Sequence, residues 1–349
     1  MRTSYKKEDV ELLLKDITGL VRPRSTEERE RMIQSGRHYC EMLPIEYTPS
    51  AEYMEAYEEA LKEYAEPVAH AIGRLADRVM QEKGEGVVLV SLARAGIPIG
   101  ILLKRYLDFK YHVKVKHYSI SIIRGRGIDR NAMNYILERH APRQLLFVDG
   151  WTGKGAILNE LKKELEQFPG VSPDMAVAAD PANITRLCGT HEDILIPSSC
   201  LNSTVSGLVS RTFLRNDIIG EEDFHGAVYY GELAGSDLSY AFIDAIEEKF
   251  VPESRTDGKG AEGVGMEEVM EIARAYGIED TNLVKPGIGE TTRVLLRRVP
   301  WRVLIHSKYK DSRELAHIVR LAEEKKVPIE YYPLKHYRVC GIIKKLADA

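Results

Sequence analysis

The sequence predicts an α/β protein built on a parallel sheet, followed by a smaller α/β unit. Three observations carry this. Short apolar runs alternate with helical stretches between residues 86 and 196, the segment 251–265 holds four glycines and no apolar periodicity, and alternation resumes beyond it. The 349 residues, 44% apolar and 29% charged, have a globular composition and a length suited to two or three domains. No apolar run approaches the ~20 residues of a membrane-spanning helix, and the stretch from Met1 to Leu14 lacks the apolar segment of a secretory signal, so a cytoplasmic protein without membrane contact is expected. Cys40, Cys188, Cys200 and Cys340 lie far apart with no Cys-x-x-Cys pair, which argues against a disulfide scaffold and a thiolate zinc site.

Residues 7–90 read mostly as helix, because the apolar positions of 10–14 and of 53–80 recur at helical spacing, with Pro67 offering a second helix start. A helical hood over residues 1–83 follows. Then the period changes. Residues 86–91, 113–123, 144–149, 175–179 and 194–196 read as strands, with helices at 97–106, 131–138 and 155–167 between them. Strictly alternating strands and helices imply a parallel sheet covered on both faces, and ligands of such sheets bind at the carboxyl ends of the strands. The core is placed at 84–250, closing a first domain of residues 1–250. Residues 251–265 form a flexible linker. In the last domain, 266–349, helices at 266–275, 285–298 and 312–325 and strands at 302–305 and 327–332 precede a final helix. From residue 284 onward there are 15 Lys and Arg against 7 Asp and Glu, a balance of +8 that leaves −12 for residues 1–283. Two ends of opposite charge are expected to meet different partners.

The strand ends carry the candidate site. After the first strand, Arg94-Ala95-Gly96 is a small-residue turn opening a helix, which exposes backbone N–H groups to an anion beside a guanidinium. After the second, Arg124-Gly125-Arg126-Gly127 makes a mobile cationic loop suited to closing over phosphates. After the third, Asp149 stands at the tip of a buried strand and Thr152-Gly153-Lys154-Gly155 runs into a helix, so the loop can hold a phosphate while the carboxylate accepts from sugar hydroxyls. A Walker A reading fails on spacing and on the lack of a hydroxyl after the lysine. Asp180 ends the fourth strand and can bind a base or a metal, or simply end a strand. The hydroxyl-rich stretch from Ser198 to Thr212 contains Arg211 and suits a phosphate pocket or a set of helix caps. Each loop taken alone is equally compatible with a plain turn.

Together the three loops resemble the type I phosphoribosyltransferase family, whose fold is a Rossmann-like parallel sheet. The resemblance covers residues 84–215 and implies that Arg94, Ala95, Gly96, Thr152, Gly153, Lys154, Gly155 and Asp180 bind substrate. It also implies that Asp149, Arg124 and Arg126 serve catalysis, and that Asp149 holds Mg²⁺. Where that family has two adjacent acids, this chain has Asp149 followed by Gly150. The substrates implied are 5-phosphoribosyl diphosphate and a nucleobase-like acceptor. The first 250 residues also resemble phosphoribosyltransferase-like proteins of bacterial tellurium-resistance and stress operons, through Gly36 to Pro44 and Ser203 to Thr212, which implies a stress-response nucleoside-like metabolite. Some of those relatives carry a cysteine-protease label, for which Cys200 with His191 or His225 is the candidate here, although nothing local activates that thiol.

Downstream, the segment from Lys285 to Arg293 resembles the RNA-contacting loop of the kink-turn-binding ribosomal and Pelota-type family. Gly287, Glu290 and Thr292 match its Gly-x-x-Glu-x-Thr pattern, and Arg293 stands for its lysine. The resemblance implies that Lys285, Gly287, Gly289, Glu290, Thr292 and Arg293 contact structured RNA, for which the +8 balance supplies the phosphate attraction. The expectation is a Mg²⁺-dependent phosphoribosyltransferase tethered to an RNA-binding domain, its oligomeric state open and compatible with a dimer. The alternatives are a catalytically inert ligand- or RNA-binding protein and a cysteine hydrolase.

Overall fold

The computed structural model describes residues 1–253 and 263–344. Apolar runs too short to fill a helix become strands β1 (Glu11–Leu12), β2 (Lys15–Asp16), β3 (Val88–Ala93), β4 (Lys116–Ile123), β5 (Gly127–Ile128), β6 (Leu145–Trp151), β7 (Met175–Ala179), β8 (Cys188–Thr190) and β9 (Gly226–Ala227). The main sheet runs β1-β4-β3-β6-β7-β8, every neighbouring pair parallel, and β5 folds back antiparallel on β4. Its helices are α1 (Thr26–Gln34), α2 (Ala51–Lys83), α3 (Gly96–Tyr111), α4 (Arg130–Leu137), α5 (Ala156–Leu165) and α6 (Ser239–Glu247). Helices α2, α3 and α6 pack on one face through Ile72, Leu75, Leu102 and Phe242. On the other face, α4 and α5 cover Val90, Leu92 and Phe147 with Met133, Ile136, Leu158 and Leu161. The fold is mixed α/β with a mostly parallel sheet, as the alternation of runs requires.

Three local expectations are corrected. The stretch 194–196, expected as a strand, forms none, and Cys188–Thr190 pairs with β7 instead. Residues 10–14 are not helical: Glu11 and Leu12 pair with Tyr118 and Ser119 on the open edge of β4. So short a stretch cannot nucleate a helix alone, whereas an exposed strand edge offers it ready partners. Pro67 starts no new helix and lies inside the 33-residue α2. A proline there costs about 3 kcal/mol, which the buried stripe of Tyr57, Tyr64, Val68, Ile72, Leu75 and Val79 offsets at about 1.5–3 kcal/mol per side chain. The hood is thus confined to α1 and the turn after it, while α2 lies against the sheet. No helix of the described residues is long and apolar enough to cross a membrane.

The last domain consists of α7 (Gly265–Ala275), β10 (Val284–Pro286), α8 (Ile288–Arg297), β11 (Pro300–Ile305), α9 (Ala316–Glu324), β12 (Ile329–Tyr331) and β13 (Val339–Ile343). The sheet order is β10-β13-β11-β12. In place of the expected final helix, the fully buried Val339-Cys340-Gly341-Ile342-Ile343 inserts as a strand between β10 and β11, where both of its faces lose contact with water.

The expected linker includes residues 254–262, which lie outside the described residues. On either side of it the two domains are docked. Ile288, Leu295, Leu296 and Ile318 share one apolar core with α2. Asp193 Oδ1 accepts from Ile288 N at 2.9 Å and its Oδ2 from Arg338 N at 2.9 Å, while Tyr337 Oη donates to Gly153 O at 2.7 Å. The charge asymmetry is answered here as well. Arg320 pairs with Glu55 and Glu59 at 3.1 and 2.8 Å, Lys325 with Glu52 at 3.8 Å, Arg313 with Glu63 at 3.6 Å and Arg338 with Glu192 at 2.9 Å. Each such pair contributes only about 0–1 kcal/mol, but together they make the two oppositely charged ends each other's partner.

Candidate functional site

The carboxyl ends of β3, β4 and β6 face β10 and the start of α8 across a cavity of about 420 Å³. Six cationic side chains line it, Arg94, Arg124, Lys154, Arg211, Lys285 and Arg293, against two acids, Asp149 and Glu290. Arg94 follows the last residue of β3, and the Ala93–Arg94 peptide is cis. Its guanidinium donates to Val209 O at 2.8 Å and to Asn202 Oδ1 at 3.1 Å, and lies 3.7 Å from Glu46. Gly96 lets the β3–α3 turn lie against β6, since a Cβ there would drive into Val148 O.

Arg211, from the hydroxyl-rich stretch, lies over the Tyr39 ring at 5.6 Å. Its Nε and Nη2 are buried without a hydrogen-bond partner among the described residues. Burial, aided by Arg29 and Arg94, pushes its pKa down to about 10. Asp149 Oδ1 accepts from Gly150 N at 2.7 Å. Burial pushes this carboxyl up to about 6, with Glu290 adding to the rise and Arg293 opposing it. Thr152, Gly153 and Gly155 line the cavity below, and Gly155, at φ 87°, turns the chain into α5 with that helix's N-terminus toward the cavity.

Several expected roles meet different geometry. Lys154 lines the cavity, yet its ammonium donates to Thr281 O at 2.7 Å and Val284 O at 3.2 Å, which binds the phosphate loop to the last domain. Burial and Lys285 push it down to about 8. The Arg124–Gly127 loop, expected to be mobile, is tied down. Arg124 N donates to Tyr39 Oη at 3.1 Å, its Nη1 to Asn282 Oδ1 at 2.9 Å, and Gly125 N to Glu160 Oε2 at 3.0 Å. Arg126 pairs with Glu41 at 3.1 Å and does not line the cavity. Asp180 is buried away from it, where Oδ2 accepts from Ile184 N and Thr185 N, both at 2.8 Å, so it shapes the turn after β7.

The segment expected to meet RNA forms the second wall of this cavity. Lys285, Glu290 and Arg293 face it, and Gly287, Gly289 and Thr292 are buried. Thr292 Oγ1 donates to Ile288 O at 2.8 Å and meets His317 Nε2 at 3.0 Å, inside its own domain. Gly287 N donates to Val339 O at 2.8 Å, and Gly289 packs toward Trp151 and Ser199. Arg293 lies 4.9 Å from the Trp151 ring and 3.5 Å from Glu290. Trp151, Asn202 and Tyr39 are site residues that the loop motifs alone did not single out, because each is recognisable only by what it braces.

All four cysteines are buried. Cys200 Sγ lies 4.0 Å from Ala56 O, and the two histidines suggested for it face other groups. His225 Nδ1 meets Ser121 Oγ at 2.9 Å, while His191 Nε2 meets Cys188 Sγ at 3.3 Å and its Nδ1 donates to Asp180 O at 3.0 Å. Asp180, Cys188 and His191 form a cluster of potential ligand atoms lying within 4.8 Å of one another. His38 Nδ1 meets Cys40 Sγ at 3.0 Å, where burial holds the thiol up in pKa.

Residues 263–345 match the PELOTA RNA binding domain. A hypoxanthine-guanine phosphoribosyltransferase from Bacillus anthracis str. 'Ames Ancestor' is similar over 35% of this chain and 71% of that chain, at 17% identity and a TM-score of 0.25. A protein from Acinetobacter baylyi (strain ATCC 33305 / BD413 / ADP1) named "Cysteine protease StiP" is 36% identical over 366 aligned residues, spanning 98% of this chain and 94% of that protein. Since residues 3–247 also match the family described as tellurite-like stress resistance cysteine protease StiP, the chain belongs to the StiP family.

Proposed function

We propose that the interdomain cavity binds 5-phosphoribosyl diphosphate with Mg²⁺ and that the chain transfers its phosphoribosyl group to a nucleobase-like acceptor. The observation that carries this reading is the pair of buried, unpartnered Arg211 donors in a cavity where six cations face two acids. Buried donors that a fold leaves without acceptors are exceptions that call for a role, and an anionic ligand in the adjoining cavity is the role proposed for these. Arg94, Arg211 and the N–H groups opening α3 suit a diphosphate, the Thr152–Gly155 loop at the start of α5 suits the 5-phosphate, and Asp149 suits the ribose hydroxyls. The anomeric C–O bond to diphosphate breaks as the bond to the acceptor nitrogen forms, and the arginines offset the charge on the departing group. Asp149 fits a metal: its Oδ2 takes no hydrogen bond from the described residues. Mg²⁺ needs only one or two carboxylates beside phosphate oxygens and water, and when bound it neutralises diphosphate charge. Calorimetric titration of the full chain with 5-phosphoribosyl diphosphate and Mg²⁺ tests this. Micromolar binding that Asp149→Asn weakens supports it, binding without turnover leaves an inert ligand-binding protein, and no heat at millimolar ligand sinks it.

RNA binding by the last domain, supported by its match to an RNA-binding domain, has to use a surface other than the covered 285–293 segment. Lys308, Lys310 and Lys326 are exposed and available for phosphate contacts. A mobility-shift titration of the full chain at rising salt tests it, and salt-insensitive or absent binding removes RNA from the account.

A second reading, thiol-dependent hydrolysis, is favoured by the Cys188–His191 contact and by the name of the Acinetobacter relative. With its Nδ1–H donated to Asp180 O, His191 presents Nε2 to take the thiol proton, the orientation a nucleophilic cysteine requires. Loss of peptide hydrolysis in Cys188→Ala, with hydrolysis retained in Cys200→Ser, would support it over the transferase.

A further inference from the structure

We infer that Glu290, contributed by the last domain, is the second carboxylate of the phosphoribosyl-diphosphate and divalent-cation site whose first carboxylate is Asp149. The inference rests on the phosphoribosyl reading above and extends it to the other domain. Along the chain, Asp149 has no acidic neighbour, because Gly150 and Trp151 follow it. In space, Glu290 is the other acid lining the cavity. Its Cγ stands 3.6 Å from where a Cβ on Gly153 would be, which sets the carboxylate over the phosphate loop. Arg293 holds one oxygen, Oε1, at 3.5 Å while itself lying 4.9 Å from the Trp151 ring, so the side chain is directed from one side only. Oε2 takes no hydrogen bond from the described residues, as is true of Asp149 Oδ2.

Arg293 balances Glu290 through Oε1 alone, so the open Oε2 and Asp149 Oδ2 would repel a bound phosphate unless a further positive or hydroxyl partner met them. A divalent cation bridging the diphosphate, or the vicinal hydroxyls of ribose, supplies that partner. The site is then complete only when the two domains are docked.

Charge makes the test sign-sensitive. The full chain is titrated by calorimetry with 5-phosphoribosyl diphosphate, with and without MgCl₂, and Mn²⁺ binding is followed by electron paramagnetic resonance. Glu290→Gln is nearly isosteric and removes one negative charge. Without metal it should bind the diphosphate as well as the wild type or up to about threefold tighter, as expected for lost repulsion. With Mg²⁺ it should lose at least tenfold of the metal-dependent gain, and its Mn²⁺ affinity should fall in parallel. Glu290→Asp keeps the charge one methylene short and should recover part of both, which guards against a folding defect in the Gln variant. A Gln variant that keeps the Mg²⁺ gain within twofold, while Asp149→Asn abolishes it, overturns the role of Glu290 and leaves the phosphoribosyl reading standing. Absence of wild-type binding both with and without Mg²⁺ overturns both.

Discussion

Replacing Arg211 by Met should stabilise the fold and disable the cavity at once. The guanidinium holds two buried donors, Nε and Nη2, without acceptors, and neighbours Arg29 and Arg94. Each unsatisfied buried donor costs about 1–3 kcal/mol, and the lost contact with the Tyr39 ring returns about 0.5–1 kcal/mol of that. Methionine fills much of the same volume with no polar atoms, so the net gain should be about 1–5 kcal/mol. In a chain of this length that is a rise of about 1–7 °C in the melting midpoint. The opposite change is expected in binding. Losing a charged, partly desolvated donor pair should weaken inorganic pyrophosphate by about 2–4 kcal/mol, or roughly 30- to 1000-fold. Circular-dichroism melts with and without pyrophosphate read both effects, since anion that saturates the wild type should raise its midpoint and raise that of Arg211→Met far less. A variant that melts earlier than wild type yet keeps its pyrophosphate shift would show that Arg211 is a structural cation satisfied in solution, and the anion argument would fail.

Burial pushes His117 down to about 3 and His317 to about 4, from an ordinary value of 6.5. Both are neutral when folded, so their stabilisation is full above pH 6.5 and is lost as pH falls toward those values. Each should cost about 2 kcal/mol at pH 5, visible in urea unfolding at pH 7 and pH 5, and His317→Gln should flatten the dependence; an unchanged slope would contradict it. Asp193→Ala strips the acceptor from Ile288 N and Arg338 N and should loosen the domain contact by about 2–4 kcal/mol, read as faster hydrogen exchange across residues 285–293; unaltered exchange would place the docking energy elsewhere. Reversing Arg320 to Glu, opposite Glu55 and Glu59, should make proteolysis between the domains faster at low salt and less so at 0.5 M NaCl, whereas salt-independent cleavage would show that the apolar contact alone holds them.

What the sequence determined by itself was whatever local chemistry specifies. The buried strands at 88–93, 145–151 and 175–179 announce themselves as apolar runs, and the rule that parallel sheets bind ligands at their carboxyl ends then points to Arg94, Asp149 and the Thr152–Gly155 loop. The tertiary structure decided everything that depends on partners distant in the chain. Glu11–Leu12 is a strand because the open edge of β4 accepts it, although its periodicity also suits a helix, and Val339–Ile343 is one because β10 and β11 pair with it on both sides. Lys154 and Asp180 have the residue types of ligand-binding groups, yet backbone carbonyls take the Lys154 ammonium and backbone amides take Asp180 Oδ2. The opposite charges of the two ends look like attraction for outside partners until Arg320, Lys325 and Arg338 are seen against Glu55, Glu52 and Glu192. The meeting of Glu290 and Arg293 with Gly153 and Trp151 has no local signature, because it is created by burying Ile288, Leu295 and Leu296 against α2. That burial is a hydrophobic contact without directionality, so no spacing along the chain encodes it.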